Sequence, residues 1–151
     1  MRCKIFLTTM FMALCILSSA NAAKWVWIYS DDYRSVWVDN NSISRGSYSS
    51  GYDFKAFIKF TYSKAGRQNT ISNWKGERPR GLNNLSHSVL LCYFKKYNGI
   101  KYWDSTIQTY YDQNGNIIKE YKQDSIDWQT IKPDTIGEEM YDNIYARARG
   151  K

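Results

Sequence analysis

The chain has 151 residues, a formal net charge of +7 and an aromatic content of 17%, with 13 Tyr and 6 Trp. It has a single histidine, His87, and neither a Gly-x-Ser-x-Gly nor a phosphate-loop pattern, which argues against a catalytic triad or a nucleotide site. Cys3 and Cys15 lie in the N-terminal segment whose removal is predicted below, and the remaining His87 and Cys92 are too few ligands for the usual zinc or haem site, so we expect a protein with no cofactor, no metal and no enzymatic activity.

The N-terminal 22 residues have the pattern of a bacterial secretory signal peptide. Two basic residues precede an apolar run from Ile5 to Leu17, and Ala20 and Ala22 occupy the two small positions that signal peptidase reads. The run is shorter than the ~20 residues that a transmembrane helix needs. Lipid attachment at Cys15 is an alternative, but Leu14 stands where that processing requires a small residue.

Cleavage after Ala22 would leave one exported domain, residues 23–151, in the periplasm or on the outer cell surface. The signal removes two basic residues and no acidic one, so the mature chain stays basic. A chain of this length can bury one core without metals or several disulfides, and its many Tyr and Trp favour strands. Cys92 becomes the only cysteine, and its apolar neighbours favour a buried free thiol over a link between two chains.

The residues after the signal predict a series of strands. Two aromatic and β-branched segments, Lys24 to Tyr29 and Ser35 to Asp39, flank turn-forming residues and predict a hairpin. Apolar and polar residues alternate from Asp53 to Tyr62, which predicts a strand with one dry face in an antiparallel sheet.

Three further segments predict a continuous meander. Leu85 to Tyr97 and Lys101 to Tyr111 flank the turn-forming pair Asn98-Gly99. A second turn, Asp112 to Asn116, leads into Ile117 to Lys122. These segments should therefore form three consecutive antiparallel strands.

The last predicted element is a helix that begins near Thr135. Glu138 follows three residues later, which is the spacing of a capping box. Apolar side chains then recur with the helical period, at Ile136, Met140, Tyr141, Ile144, Tyr145 and Ala148. Such a stripe must pack on another element, so the sequence predicts an α+β domain of about six antiparallel strands with a C-terminal helix on one sheet face.

A basic segment lies between two predicted strands, from Ser63 to Asn84, and is predicted to be a long loop. Its candidate partner-binding residues are Trp74, Lys75, Arg78 and Arg80. A basic patch beside an aromatic ring suits acidic glycans, lipid headgroups or an acidic protein surface. A solvated connection without any partner is the alternative, and no nucleic acid is expected as the partner of an exported protein.

Several motifs resemble the bacterial surface-adhesin protein E family. They are Val36-Trp37-Val38-Asp39 with Ser42 and Ile43, Cys92 in an apolar strand, the turn Tyr111-Asp112-Gln113-Asn114-Gly115-Asn116, and Trp128 with Ile131 and Pro133 ahead of the helix. Together they span nearly the whole mature chain in the family's order. The resemblance implies an exported domain in which a curved antiparallel sheet carries the C-terminal helix, and whose founding member binds host proteins at the cell surface.

The chain departs from that family at the C-terminal helix. Family members commonly have a second Cys near the end of this helix, joined to the strand Cys, whereas this chain has Ile144, Tyr145 and Ala146 there. Helix docking must then depend on the apolar stripe alone. A disulfide that closes a loop of about 50 residues would supply roughly 3 to 4 kcal/mol in the chain-entropy model.

Three functions remain open from the sequence. The first is a non-enzymatic exported binding domain, adhesin-like, that contacts a host extracellular protein, an acidic glycan or an envelope macromolecule through the sheet face or the basic segment. The second is a structural or accessory protein of the periplasm or envelope. The third is a small hydrolase that uses His87, which an unchanged activity in His87→Ala would eliminate. Unpaired edges of an aromatic-rich sheet also favour a homodimer.

Overall fold

The computed structural model describes residues 22–150, so the predicted signal peptide before that point lies outside the described residues. The described chain forms one eight-stranded sheet and two α-helices. The strands are β1 (Trp25–Ser30), β2 (Arg34–Asp39), β3 (Ser44–Arg45), β4 (Phe54–Tyr62), β5 (Leu85–Tyr97), β6 (Ile100–Asp112), β7 (Ile117–Lys122) and β8 (Gln129–Thr130). The helices are α1 (Lys64–Ser72) and α2 (Ile136–Arg149), and a 3-10 turn (Leu82–Asn84) precedes β5. Within this part of the chain, no helix has the length and apolar character needed to cross a membrane.

The sheet is an antiparallel meander. Six strands lie side by side in the order β1-β2-β4-β5-β6-β7, and the two-residue strands β3 and β8 pair with β4 and β6. All six predicted strands are present, which confirms the predicted α+β fold. The two short strands were not predicted, because two residues are too few to show a period.

The longest pair of strands, β5 and β6, is joined by the predicted two-residue turn. Asn98 and Gly99 both have positive φ, 49° and 80°, and Tyr97 pairs directly with Ile100. A type I′ hairpin requires positive φ at both central residues, which Asn and Gly tolerate best. The turn therefore fixes the register of the two 13-residue strands.

The core lies between one sheet face and α2. Alternate residues of β4 point into it, as predicted, and so does the predicted stripe of α2 apart from Tyr145, which is exposed. The most deeply buried members are Val36, Val38, Phe54, Ala56, Ile58, Cys92, Phe94, Met140 and Ile144. Helix α2 packs against β1, β4 and β6, so the chain docks its last element without a disulfide.

The start of α2 agrees with the prediction, but its cap does not. The Thr135 hydroxyl donates to the Lys132 carbonyl at 2.7 Å and makes no cap hydrogen bond to the helix. The Glu138 carboxylate instead accepts from the backbone N–H of Asp134 at 2.9 Å. The predicted reciprocal capping box is therefore wrong, because the Glu138 side chain reaches back one residue beyond the cap.

The prediction of a long loop between β4 and β5 is wrong for residues 64–72, which form α1. Ser63 caps this helix, since its hydroxyl oxygen accepts from the Gly66 N–H at 3.0 Å. Gly66 packs against the backbone of Tyr33 so closely that a Cβ would lie 1.8 Å from the Tyr33 carbonyl oxygen. Only glycine fits there, and this close approach fixes α1 beside the β1–β2 turn.

Candidate functional site

The predicted partner-binding residue Trp74 serves to anchor its segment. It is half-buried, and its ring meets Tyr110 edge to face with 5.0 Å between centroids. Tyr121 lies 6.3 Å away on the neighbouring strand. The indole Nε1 donates to the Glu77 carbonyl at 3.2 Å. Trp74 therefore holds the basic segment against β6 and β7.

The other three predicted residues, Lys75, Arg78 and Arg80, are exposed beside this anchor. Arg78 Nη2 donates to the Ile71 carbonyl at 3.2 Å, so part of its guanidinium satisfies the last turn of α1. These cations and Trp74 lie on the segment between α1 and the 3-10 turn, and partner binding by them stays a prediction. None of the three lines the cleft described next.

A cleft of about 900 Å³ opens at one end of the sheet, between residues 45–54, the β5–β6 hairpin and the C-terminal half of α2. We call it the tyrosine cleft. Its basic lining residues are Arg45, Lys95, Lys96, Lys101 and Arg149. Its tyrosines are Tyr48, Tyr52, Tyr97, Tyr141 and Tyr145. Asp53 and Asp142 are the acidic lining residues, so the cleft has an excess of positive charge.

Hydrogen bonds tie the loop that forms one wall of this cleft to the sheet. The Asp53 carboxylate accepts from the Lys96 N–H at 2.6 Å, and the Asp53 N–H donates to the Phe94 carbonyl at 2.8 Å. Gly46 donates its N–H to the Asp53 carbonyl, and a Cβ on Gly46 would lie 2.0 Å from the Tyr52 carbonyl oxygen. The wall is therefore closely packed and preformed.

Lys101 is already neutralised within the chain. Its ammonium lies 2.8 Å from Glu138 and 2.8 Å from Asp142, and its side chain is 20% exposed. Partial burial alone would lower the pKa of Lys101, but hydrogen bonds to Asp142 and Glu138 outweigh it and raise that pKa. The same contact with Lys101, followed by the Asp134 N–H, lowers the pKa of Glu138. Attraction for an anion must then come from other cations.

The other cations of the tyrosine cleft also differ in how closely contacts within the chain hold them. Lys95 directs its ammonium to the Trp128 ring, 4.2 Å from the centroid. Arg149 lies 5.8 Å from the exposed ring of Tyr145, a looser contact at the cleft mouth. Arg45 and Lys96 are exposed and also line the cleft. The cations best placed to meet a ligand are therefore Arg45, Lys96 and Arg149.

The tyrosine rings extend from the core to solvent. Tyr141 is buried against Phe54, with 5.2 Å between the ring centroids. The ring of Tyr145 stacks on that of Tyr141, with 5.9 Å between centroids. Burial, followed by the charge of Asp53, raises the pKa of Tyr141 to about 12, so its hydroxyl stays protonated. Tyr48 is fully exposed and Tyr97 is 65% exposed. Exposed aromatic side chains that cluster at one site often contact a partner.

The sheet face opposite α2, the other surface that the sequence indicated, has cation–π pairs formed within the chain. Lys59 lies 4.4 Å from the Trp25 ring and 5.7 Å from the Trp37 ring. Burial lowers the pKa of this lysine. Its ammonium is therefore less available to an outside anion than the cations of the tyrosine cleft.

His87 and Cys92 lie away from the tyrosine cleft. His87 stacks on Tyr111 with 4.8 Å between centroids, and its Nδ1 lies 3.2 Å from the Ser86 hydroxyl. Burial, followed by the charge of Lys59, lowers the pKa of His87. Cys92 is a buried free thiol, as predicted, and burial raises its pKa, which makes it a poor nucleophile. Residues 22–150 contain no cluster of three potential metal ligands.

The sequence did not reveal the tyrosine cleft as a site. Arg45, Lys96 and Arg149 come from three elements that are far apart along the chain. The only local signals were the Lys95-Lys96-Tyr97 run at a hairpin turn and Tyr48 in a loop of Gly and Ser.

Comparison of the chain with protein-family models, curated proteins and solved structures returns no match. The resemblance to the protein E family stays a prediction that depends on the motifs alone. Function is therefore inferred from the side chains and their geometry.

Proposed function

We propose that this chain is a non-enzymatic exported domain that binds an acidic glycan of the host or the envelope through the tyrosine cleft. The observation that carries the proposal is one open cleft of about 900 Å³ with three exposed cations and exposed tyrosine rings at its mouth. The signal-peptide pattern and the protein E resemblance support export and a binding role.

The chemistry of the tyrosine cleft fits an acidic sugar chain. Arg45, Lys96 and Arg149 can pair with carboxylate or sulfate groups, and charge-assisted hydrogen bonds of this kind are the stronger ones. Exposed tyrosine rings offer flat apolar faces to the C–H groups of a sugar and hydroxyls to its polar groups. Asp53 and Asp142 supply acceptors for sugar hydroxyls.

A host protein is a weaker fit to the same cleft. The centre of a protein–protein interface is usually apolar and well packed. Apart from the tyrosines, Phe54 and Ala148 are the apolar side chains among the described residues that line the cleft. The lining is therefore better suited to a polar, charged ligand than to an apolar anchor of another protein.

The test compares two variants with equal loss of charge. In the first, Arg45, Lys96 and Arg149 are each changed to Gln, and in the second, Lys75, Arg78 and Arg80 are each changed to Gln. Binding of a heparin-derived oligosaccharide to residues 23–151 is measured by calorimetry at low and at physiological salt, with a neutral glucan as the control ligand. Each lost charge-assisted contact is worth roughly 1.5 to 3 kcal/mol, so we expect the cleft variant to bind at least about tenfold more weakly.

Two results would contradict this proposal. Equal weakening by both variants would mean that net charge alone attracts the glycan. Loss of binding only in the Lys75, Arg78 and Arg80 variant would move the site to the basic segment. Tyr97→Ala tests the contribution of the aromatic rings apart from that of the charges. Because this change removes no charge, it should weaken binding with little change in the salt dependence.

A further inference from the structure

A second cleft, of about 520 Å³, lies on the helix-covered face of the sheet between α1 and the N-terminal half of α2. We call it the inter-helix cleft. Its volume falls within the range typical of small-molecule sites, about 300 to 1,000 Å³. It shares no lining residue with the tyrosine cleft, so the two are separate candidates.

The floor of the inter-helix cleft is apolar and aromatic. Phe60, Leu90 and Met140 are core residues that reach its surface, with exposures of 7%, 4% and 1%. Trp103 packs against the core and forms part of the wall, and Tyr62 adds another ring. A ligand seated here would bury a flat, apolar body.

One cation overlies this floor with an incomplete set of partners. The guanidinium of Arg34 lies 5.4 Å from the centre of the Phe60 ring. Its Nε is buried and has no hydrogen-bond partner. Asp31 is its ion-pair partner, with Oδ2 at 3.8 Å from Nε, which is too long for a hydrogen bond. The side chain as a whole is 42% exposed, so a ligand anion in the cleft would meet the terminal nitrogens of the guanidinium, while Nε stays buried beside Asp31.

The charges around the inter-helix cleft favour an anion. Arg34 and Lys132 both line it, and no Asp or Glu lines it within the described part of the chain. Gln108 donates to the Tyr110 hydroxyl at 2.7 Å, so the Tyr110 hydrogen can be donated to a ligand. Burial raises the pKa of Tyr110, so this phenol stays protonated and adds no negative charge.

We infer that the inter-helix cleft binds a small aromatic acid, whose ring lies on Phe60 and against Trp103 and whose single negative group meets Arg34. The cleft volume, the aromatic floor, the two lining cations and the partly exposed guanidinium of Arg34 all favour such a ligand. It is independent of the proposed glycan binding, because the two clefts have no residue in common.

The experiment uses naphthylacetate and its neutral analogue naphthylacetamide, which have the same ring and nearly the same shape. Calorimetry with residues 23–151 should show one naphthylacetate bound per chain and at least about tenfold weaker binding of the amide. In Arg34→Met the preference for the acid should disappear. Lys119→Met, which removes one positive charge from an exposed position outside both clefts, is the matched control and should bind naphthylacetate like the parent protein.

Ser105→Phe is a second variant, since Ser105 lines the inter-helix cleft and a ring at this position would occupy it. It should abolish binding of both compounds while the far-ultraviolet circular dichroism stays unchanged. Because Arg34 is partly exposed, Arg34→Met should fold. It therefore tests the inference even if Ser105→Phe does not fold. Equal binding of acid and amide, unchanged selectivity in Arg34→Met, or no binding of naphthylacetate at millimolar concentration would overturn the inference.

Discussion

Lys101 shows how one side chain on the sheet fixes the first turns of a helix. It bridges Glu138 and Asp142, which lie one turn apart on α2. The pKa of Glu138 is lowered in the folded chain, so its contribution to stability is present above its unfolded pKa and is lost as the pH falls through the folded value. The pKa of Lys101 is raised, so its contribution is present at neutral pH and is lost as the pH rises through its folded value.

We therefore predict that Glu138→Gln lowers the thermal unfolding midpoint at neutral pH, and that this difference disappears in acid, where the parent Glu138 is also protonated. Unfolding followed by circular dichroism across the acid range measures it. Glu139→Gln makes the same charge change at the next, exposed position and should have a smaller effect. A difference that persisted in acid would show that Glu138 acts through packing instead of charge.

Individual residues were predictable where their local backbone or their apolar neighbours determine their role. The turn at Asn98 and Gly99 follows from the positive φ that these residues tolerate, and the burial of Cys92 follows from its apolar strand. The cations of the tyrosine cleft were not predictable, because Arg45 and Arg149 meet Lys96 only through the tertiary fold. No local period or motif encodes such proximity.

Among the elements, α2 is held on the sheet by its apolar stripe, since no disulfide joins it to the sheet in the described chain. Ile144 is fully buried in the core, whereas Ala146 is exposed on the same helix. We predict that Ile144→Ala destabilises the protein by roughly 2 to 5 kcal/mol, through lost burial and an unfilled cavity. Ala146→Ser should change stability by only about 0.5 kcal/mol or less. Chemical denaturation measures both, and similar small losses would mean that α2 is not docked as described.

The elements that the sequence revealed are those with a clear period. β4 alternates apart from Phe57, which is apolar but faces outward, and α2 shows a helical stripe, so both were identified close to their actual bounds. Helix α1 was missed because its residues are mostly polar and basic, and its main tertiary contact is a glycine against the Tyr33 backbone. A helix held by a backbone contact needs few apolar side chains, so its sequence shows little helical periodicity.

At the scale of the whole molecule, the antiparallel fold was predictable, whereas the location of the protein and its partner stay predictions. We predict that an external protease degrades this protein in intact producing cells, because an adhesin that binds a host glycan must be exposed on the cell surface. An antibody against the domain reports its loss, and a known periplasmic protein serves as the control for cell integrity. Protection until the outer membrane is permeabilised would favour the envelope-accessory function instead.

The meander order of the sheet has a consequence for how the chain would fold during the export proposed above. Each of the six main strands pairs with the one before it along the path, and the core helix α2 comes last. Local pairing of this kind keeps loop-closure costs small and favours fast folding. A chain that emerges from a translocation channel with its N-terminus first could therefore assemble the sheet strand by strand. The apolar face of that sheet would then stay uncovered until the final residues arrive, so we expect the interval before α2 emerges to be when the nascent domain is most prone to aggregate.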